Sequence, residues 1–189
     1  MVRTGGRVLD LGCGAGLPST RRLAESFSVV GVDISAEQLD RASRNVPGAE
    51  LIRADVREVD FPAAAFDGVC ALYSIAHIPR EDHAHLFASV RRWLRPGGLF
   101  LASLGSGDLP AWTGEWLGVP MFFSSHSATE NRRLLDAAGL EAVHDEIVTM
   151  REPEGDATFH WVIRRASLGT VPVCRESPRL PARRGSVCA

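Results

Sequence analysis

The chain has 189 residues, and all 21 of its basic residues are arginine. Without lysine it can form no Schiff base, no phosphate-loop lysine contact and no Ser-x-x-Lys nucleophile. Its net charge of −2 divides unevenly, with 15 arginines against 22 acids in residues 1–163 and six against one in 164–189, and an acidic body argues against nucleic acid as a partner.

The length and the 45% hydrophobic, 23% charged composition fit one globular domain. Its beginning, MVRTGGRVLDLG, has no signal-peptide core, and no window reaches membrane-spanning length. A cytoplasmic protein with no membrane partner is therefore expected. Cys13, Cys70, Cys174 and Cys188 lack metal-ligand or disulfide-scaffold spacing, and no metal is expected.

Short apolar runs alternate with helical patterns, which predicts an α/β domain with a parallel sheet. Arg7 to Leu11 is a first strand, followed by a glycine-rich turn and a helix from about Pro18 to Ser26. A second strand, Ser28 to Val32, ends on Asp33, and Ser35 with Gln38 makes a capping box for the next helix. Strand three is Glu50 to Ala54, closed by Asp55, and strand four is Phe66 to Tyr73. A helix from about Asp82 to Leu94 follows, with His83 and His85 on its solvent side. Pro96-Gly97-Gly98 then turns into strand five, Leu99 to Leu104. Residues 105–126 read as one long irregular loop, a length that suggests a binding or covering role. Ser127 and Glu130 cap a helix ending at Gly139, and the short Glu152–Asp156 connection makes the last two strands, Glu141 to Met150 and Thr158 to Arg164, an antiparallel hairpin. From Ser167 to Ala189 the pattern collapses into a basic Pro/Arg-rich stretch that reads as a disordered tail. The domain proper is then 1–166, and the tail 167–189.

The strongest motif is Val8-Leu9-Asp10-Leu11-Gly12-Cys13-Gly14-Ala15-Gly16. Glycines between a strand and a helix let the backbone turn tightly and approach a ligand closely. A nicotinamide dinucleotide fits poorly, because Leu17 stands where that fingerprint wants Gly or Ala, and Asp10 would repel a pyrophosphate. With Gly31-Val32-Asp33-Ile34-Ser35, Ala54-Asp55-Val56, Phe66-Asp67 to Tyr73, and Leu94-Arg95-Pro96-Gly97-Gly98 at the right spacings, the chain resembles the class I S-adenosylmethionine-dependent methyltransferases from Arg7 to about Ala166. That resemblance implies a Rossmann-like, doubly wound seven-stranded sheet in the order 3-2-1-4-5-7-6, with strand seven antiparallel. It implies S-adenosylmethionine as cofactor, held by Asp10, Gly12, Gly14 and Gly16 at the methionine part. Asp33 would take the ribose hydroxyls and Asp55 the adenine amine, with Ile34, Val56 and Tyr73 also counted in the cofactor site. Members of the family usually carry helices ahead of strand one, whereas six residues precede Arg7 here.

Methyl transfer from a sulfonium needs proximity, alignment and a dry pocket, and a base only where the acceptor holds its proton. His77, in Tyr73-Ser74-Ile75-Ala76-His77, is the candidate base, with a packing role as its alternative. Tyr73, His77, Trp112, Trp116, Met121 and His126 are the candidate acceptor pocket, Phe122 adding to its apolar character. Strand four is not followed by the Asp/Asn-Pro-Pro-aromatic motif of amino-group methylases, so a small-molecule acceptor is expected. Two other functions stay open: a non-catalytic or truncated S-adenosylmethionine-binding domain acting through a partner, and an NAD-dependent oxidoreductase.

Overall fold

The computed structural model describes residues 2–116, 118–152 and 155–169. Its principal sheet has seven strands: β1 (Arg7–Leu11), β2 (Ser28–Asp33), β3 (Glu50–Arg53), β4 (Phe66–Ala71), β5 (Leu94–Gly105), β8 (Leu140–Glu152) and β9 (Gly155–Ala166). They are ordered β3-β2-β1-β4-β5-β9-β8. The first five run parallel, and β9 lies antiparallel to both β5 and β8. This is the expected 3-2-1-4-5-7-6 order, with β9 as the expected seventh strand.

Side chains on a strand alternate between faces, and the sheet uses both. Leu9, Leu11, Val69, Phe100, Ala102 and Val162 join one core with Leu86, Val90 and Trp93 of α3 (His83–Trp93) and Leu135 of α4 (Ala128–Ala137). On the other face, α1 (Ser19–Ala24) lays Thr20 over Asp10 of β1, and α2 (Ala36–Asn45) buries Ala42 beside Gly16. Helix starts follow the expected caps. Ser35 Oγ accepts the Gln38 N–H, and Ser127 Oγ accepts the Glu130 N–H. The first helix is shorter than expected, with Pro18 as its N-cap residue.

Three expectations change. Residues 105–126 are not an irregular loop: they form a separate two-stranded antiparallel sheet, β6 (Leu109–Trp116) with β7 (Val119–Ser125). Pro110, Gly114 and Pro120 hide its alternation, and the register shifts between Leu109 and Trp112. The Pro96-Gly97-Gly98 turn lies within β5, whose Leu94 already pairs with Phe66 before the register shifts. Finally, Ser167 and Gly169 are held to the body, since the Arg91 guanidinium donates to both their carbonyls. Residues 170–189, with the rest of the expected tail, Cys174 and Cys188, lie outside the described residues, as does the turn at 153–154.

The helix α4 is tied to β8 and β9 by charges no sequence pattern revealed. Arg164, buried in β9, donates to Asp136 of α4 and to Asp145 of β8, and Arg132 of α4 also donates to Asp145. His160 completes the group with Nε2 2.9 Å from Asp145. The Arg132 hydrogen bond, helped by His160, holds the Asp145 carboxyl down at about 2. Among the described residues, no helix is long and apolar enough to cross a membrane.

Candidate active site

Sheet order reverses between β1 and β4, the place where open α/β sheets form a crevice at the carboxyl ends of their strands. A cavity of about 690 Å³ opens there, within the size range of small-ligand sites. Its lining comes from the ends of β1, β2 and β3, from the segment after β4, and from β7.

The turn after β1 has the shape of a cradle. Gly12 sits at φ +72, and a Cβ there would meet the Ser74 Cβ at 2.3 Å. Gly14, at φ +53, has open space where its side chain would stand. Both conformations are costly for residues other than glycine. Ser74 is drawn in because its hydroxyl donates to the Leu11 carbonyl at 2.8 Å.

Asp33 is aimed at this turn by two backbone donors. Gly14 N–H donates to Oδ2 and Ser35 N–H to Oδ1, each at 2.9 Å. The Ser35 N–H is the group a capping-box glutamine would receive, and Gln38 instead lines the cavity. Each carboxylate oxygen of Asp33 keeps further lone pairs, so the pair can accept a cis-diol. Asp55, at the end of β3, is held below the ordinary carboxylate range by Arg57, whose guanidinium donates to both oxygens.

Of the expected cofactor residues, Gly12, Gly14, Asp33, Ile34, Asp55, Val56 and Tyr73 line the cavity. Asp10 and Gly16 do not. Asp10 is buried beneath α1, where Thr20 Oγ1 donates to it at 2.7 Å. Burial lifts its carboxyl to about 6, against the lowering effect of Thr20 and with a further push from the charge of Asp33. Gly16 serves helix packing, its missing Cβ lying 3.1–3.4 Å from Val46 and Ala42.

The expected acceptor residues divide in the same way. Tyr73, His77 and Met121 line the cavity, and Phe122 joins them. Trp112 stands away from it, 44% exposed and packed on Phe123. His126 is spent on structure, with Nε2 3.0 Å from the Arg80 carbonyl and its ring against His83. The Trp116 side chain lies outside the described residues. His83 corrects another expectation: it is buried, its Nε2 meeting the Ile78 carbonyl at 3.1 Å, and burial lowers its pKa.

His77 sits in a short 3-10 turn, Ile75–His77, with Nδ1 2.9 Å from the Phe122 carbonyl and its ring 4.7 Å from that of Phe123. A carbonyl only accepts, so Nδ1 carries the proton and Nε2 of the neutral ring is an acceptor. Sequence reasoning overlooked Ser74, Gln38, Arg57, Ile78 and Pro79 as lining residues. Ile78 and Pro79 are the two residues after the candidate base, and Ser74 precedes it by three, so for these three proximity to His77 was the available signal.

Residues 8–98 match the family model described as a methyltransferase domain. The 27-O-demethylrifamycin SV methyltransferase of Amycolatopsis mediterranei is 39% identical over 104 residues, covering 51% of this chain and 38% of that protein. The trans-aconitate 2-methyltransferase of an Azoarcus species is 44% identical over 95 residues, covering 49% of this chain and 36% of its own length. The chain thus spans well under half the length of these two relatives. A SAM-dependent methyltransferase structure from Methanosarcina mazei superposes with a TM-score of 0.77 at 18% identity, covering 88% of this chain and 94% of that one.

Proposed function

We propose that this chain is a class I S-adenosylmethionine-dependent methyltransferase, as its match to the methyltransferase-domain model and its fold support, and that it binds S-adenosylmethionine along the Gly12–Asp33–Asp55 side of its cavity and methylates a small-molecule acceptor beside His77. The observation that carries the reading is Asp33: two backbone N–H groups, one from the glycine turn itself, hold its carboxylate at the rim of a cradle without side chains.

In this reading Asp33 accepts from the two ribose hydroxyls, Asp55 accepts from the adenine amine, and Ile34 and Val56 flank the base. Gly12 and Gly14 let the backbone approach the methionine part. The cofactor supplies an electrophilic methyl group on a sulfonium, so the protein needs no lysine and no metal to make the reaction feasible. What the chain adds is position and a proton acceptor. Tyr73, Met121 and Phe122 exclude water from the acceptor side, and Nε2 of His77 takes the proton from the acceptor's nucleophilic atom. Asp10 and Gly16 support the turn from behind. The acceptor is a small molecule, as in the relatives whose names specify rifamycin and aconitate substrates.

Calorimetric titration with S-adenosylhomocysteine and with NAD tests the cofactor assignment. Binding of the former alone is expected; binding of NAD alone would overturn the reading in favour of an oxidoreductase.

A further inference from the structure

The two ends of the cavity differ in charge. Asp33, Asp55, Arg57 and Gln38 cluster at the end formed by β2 and β3. Beyond the glycine turn the lining is Tyr73, Ser74, His77, Ile78, Met121 and Phe122, none of them a carboxylate, guanidinium or ammonium group. Among the described residues lining the cavity, the arginine is Arg57, and its guanidinium is already engaged by Asp55. Arg80, nearest in sequence to the acceptor end, is paired through its side chain with Asp108. The Nδ1 of His77 is engaged by the Phe122 carbonyl at 2.9 Å, which fixes the orientation of the ring in the lining.

Tyr73 gives this end its shape. It is a non-glycine residue at φ +55, a conformation kept only where the surroundings enforce it. Ser103 Oγ accepts its backbone N–H at 2.8 Å, its hydroxyl meets Met150 Sδ at 3.4 Å, and its ring stands edge-to-face against Phe159 and Trp161. So anchored, the ring still lines the cavity and is 42% exposed. An anchored aromatic ring that shares the lining with Met121 and Phe122 favours a flat apolar body.

We propose that the acceptor is an uncharged ring compound bearing a neutral, protonated nucleophile such as a ring hydroxyl, and that the acceptor end discriminates against carboxylates. An anion brought there would lose its hydration, and among the described residues lining that end none offers a fixed cation to replace it. The inference rests on the methyl-transfer reading for its purpose, but the selectivity belongs to the cavity and is measurable by itself.

The probes are 2-naphthol and 2-naphthoate, close in shape, the first uncharged and the second anionic at neutral pH. Their binding is measured on the full chain by saturation-transfer NMR, with and without S-adenosylhomocysteine. The expected result is a 2-naphthol Kd at least about tenfold below that of 2-naphthoate. Equal affinities, a preference for the carboxylate, or no binding of either would overturn the proposal. Met121→Arg places a cation at this end and is expected to reverse the preference. An unchanged preference in a variant that still binds S-adenosylhomocysteine would contradict the cavity assignment. Should Met121→Arg fail to fold, the wild-type ratio decides alone. A wild-type chain that selects 2-naphthol yet fails to bind S-adenosylhomocysteine would sustain this proposal and refute the cofactor reading instead.

Discussion

The cradle side of the cavity and its acceptor side are built by different means. The cradle is made at the ends of three adjacent parallel strands. Gly12 and Cys13 donate their N–H groups to the Val32 carbonyl, Gly14 donates to Asp33, and Ala54 donates to the Asp33 carbonyl. Its geometry is therefore set by the sheet. The acceptor side joins the turn after β4 to a hairpin that belongs to no larger sheet. The contacts in that join include His77 to Phe122, Arg80 to Ser124 and the packing of Phe123 on the His77 ring. A site built in this way fixes one ligand rigidly and leaves the recognition of the other to a segment that can vary without disturbing the sheet.

Breaking the cradle should have the largest effect. Gly12→Ala puts a methyl 2.3 Å from the Ser74 Cβ and forces φ +72 on alanine, which should remove about 3 kcal/mol or more of stability. Urea denaturation checks this, and near wild-type stability would mean that the turn relaxes freely. Asp10→Asn tests the support beneath the cradle and should act in the opposite direction. Folded Asp10 keeps its proton up to about pH 6 against an ordinary value of 3.8. Stability therefore falls as pH rises through that window, and above it the buried charge is carried in full. The variant should gain about 2–3 kcal/mol at pH 7, and denaturation midpoints between pH 4 and 7 should flatten. A variant less stable than wild type at pH 7 would show that the carboxylate is favoured where it lies. The smallest effect belongs to the hairpin. Ser124 accepts from the Arg80 N–H and donates to the Pro110 carbonyl at 2.7 Å. Ser124→Ala should cost about 1–2 kcal/mol, seen as faster amide exchange in β6 and β7, with S-adenosylhomocysteine affinity unchanged. Equal loss of that affinity would mean the two sides are not separable.

The same division governs what the sequence revealed. Gly12, Gly14, Asp33 and Asp55 were legible as cavity residues because each lies at or just past a strand end, where apolar periodicity stops and a local turn must begin. The sheet order was implied by the family resemblance, and the antiparallel closing pair followed from a short connection. Asp10 misled because sequence places it beside the glycines, whereas strand alternation points it under α1 toward Thr20. The hairpin was hidden by Pro110, Gly114 and Pro120, which break the alternation that marks a strand. His83 looked like a solvent-facing helix residue, yet it is buried by contacts with Ile78 and His126. No local pattern encodes those partners.

The carboxylate pinned by Gly14 and Ser35 is proposed to hold the cofactor, and Asp33→Ala tests that role most directly. Calorimetric titration of the variant with S-adenosylhomocysteine should show affinity reduced by about 10- to 100-fold, the scale of charge-assisted hydrogen bonds. Wild-type affinity in a folded Asp33→Ala protein would contradict that role.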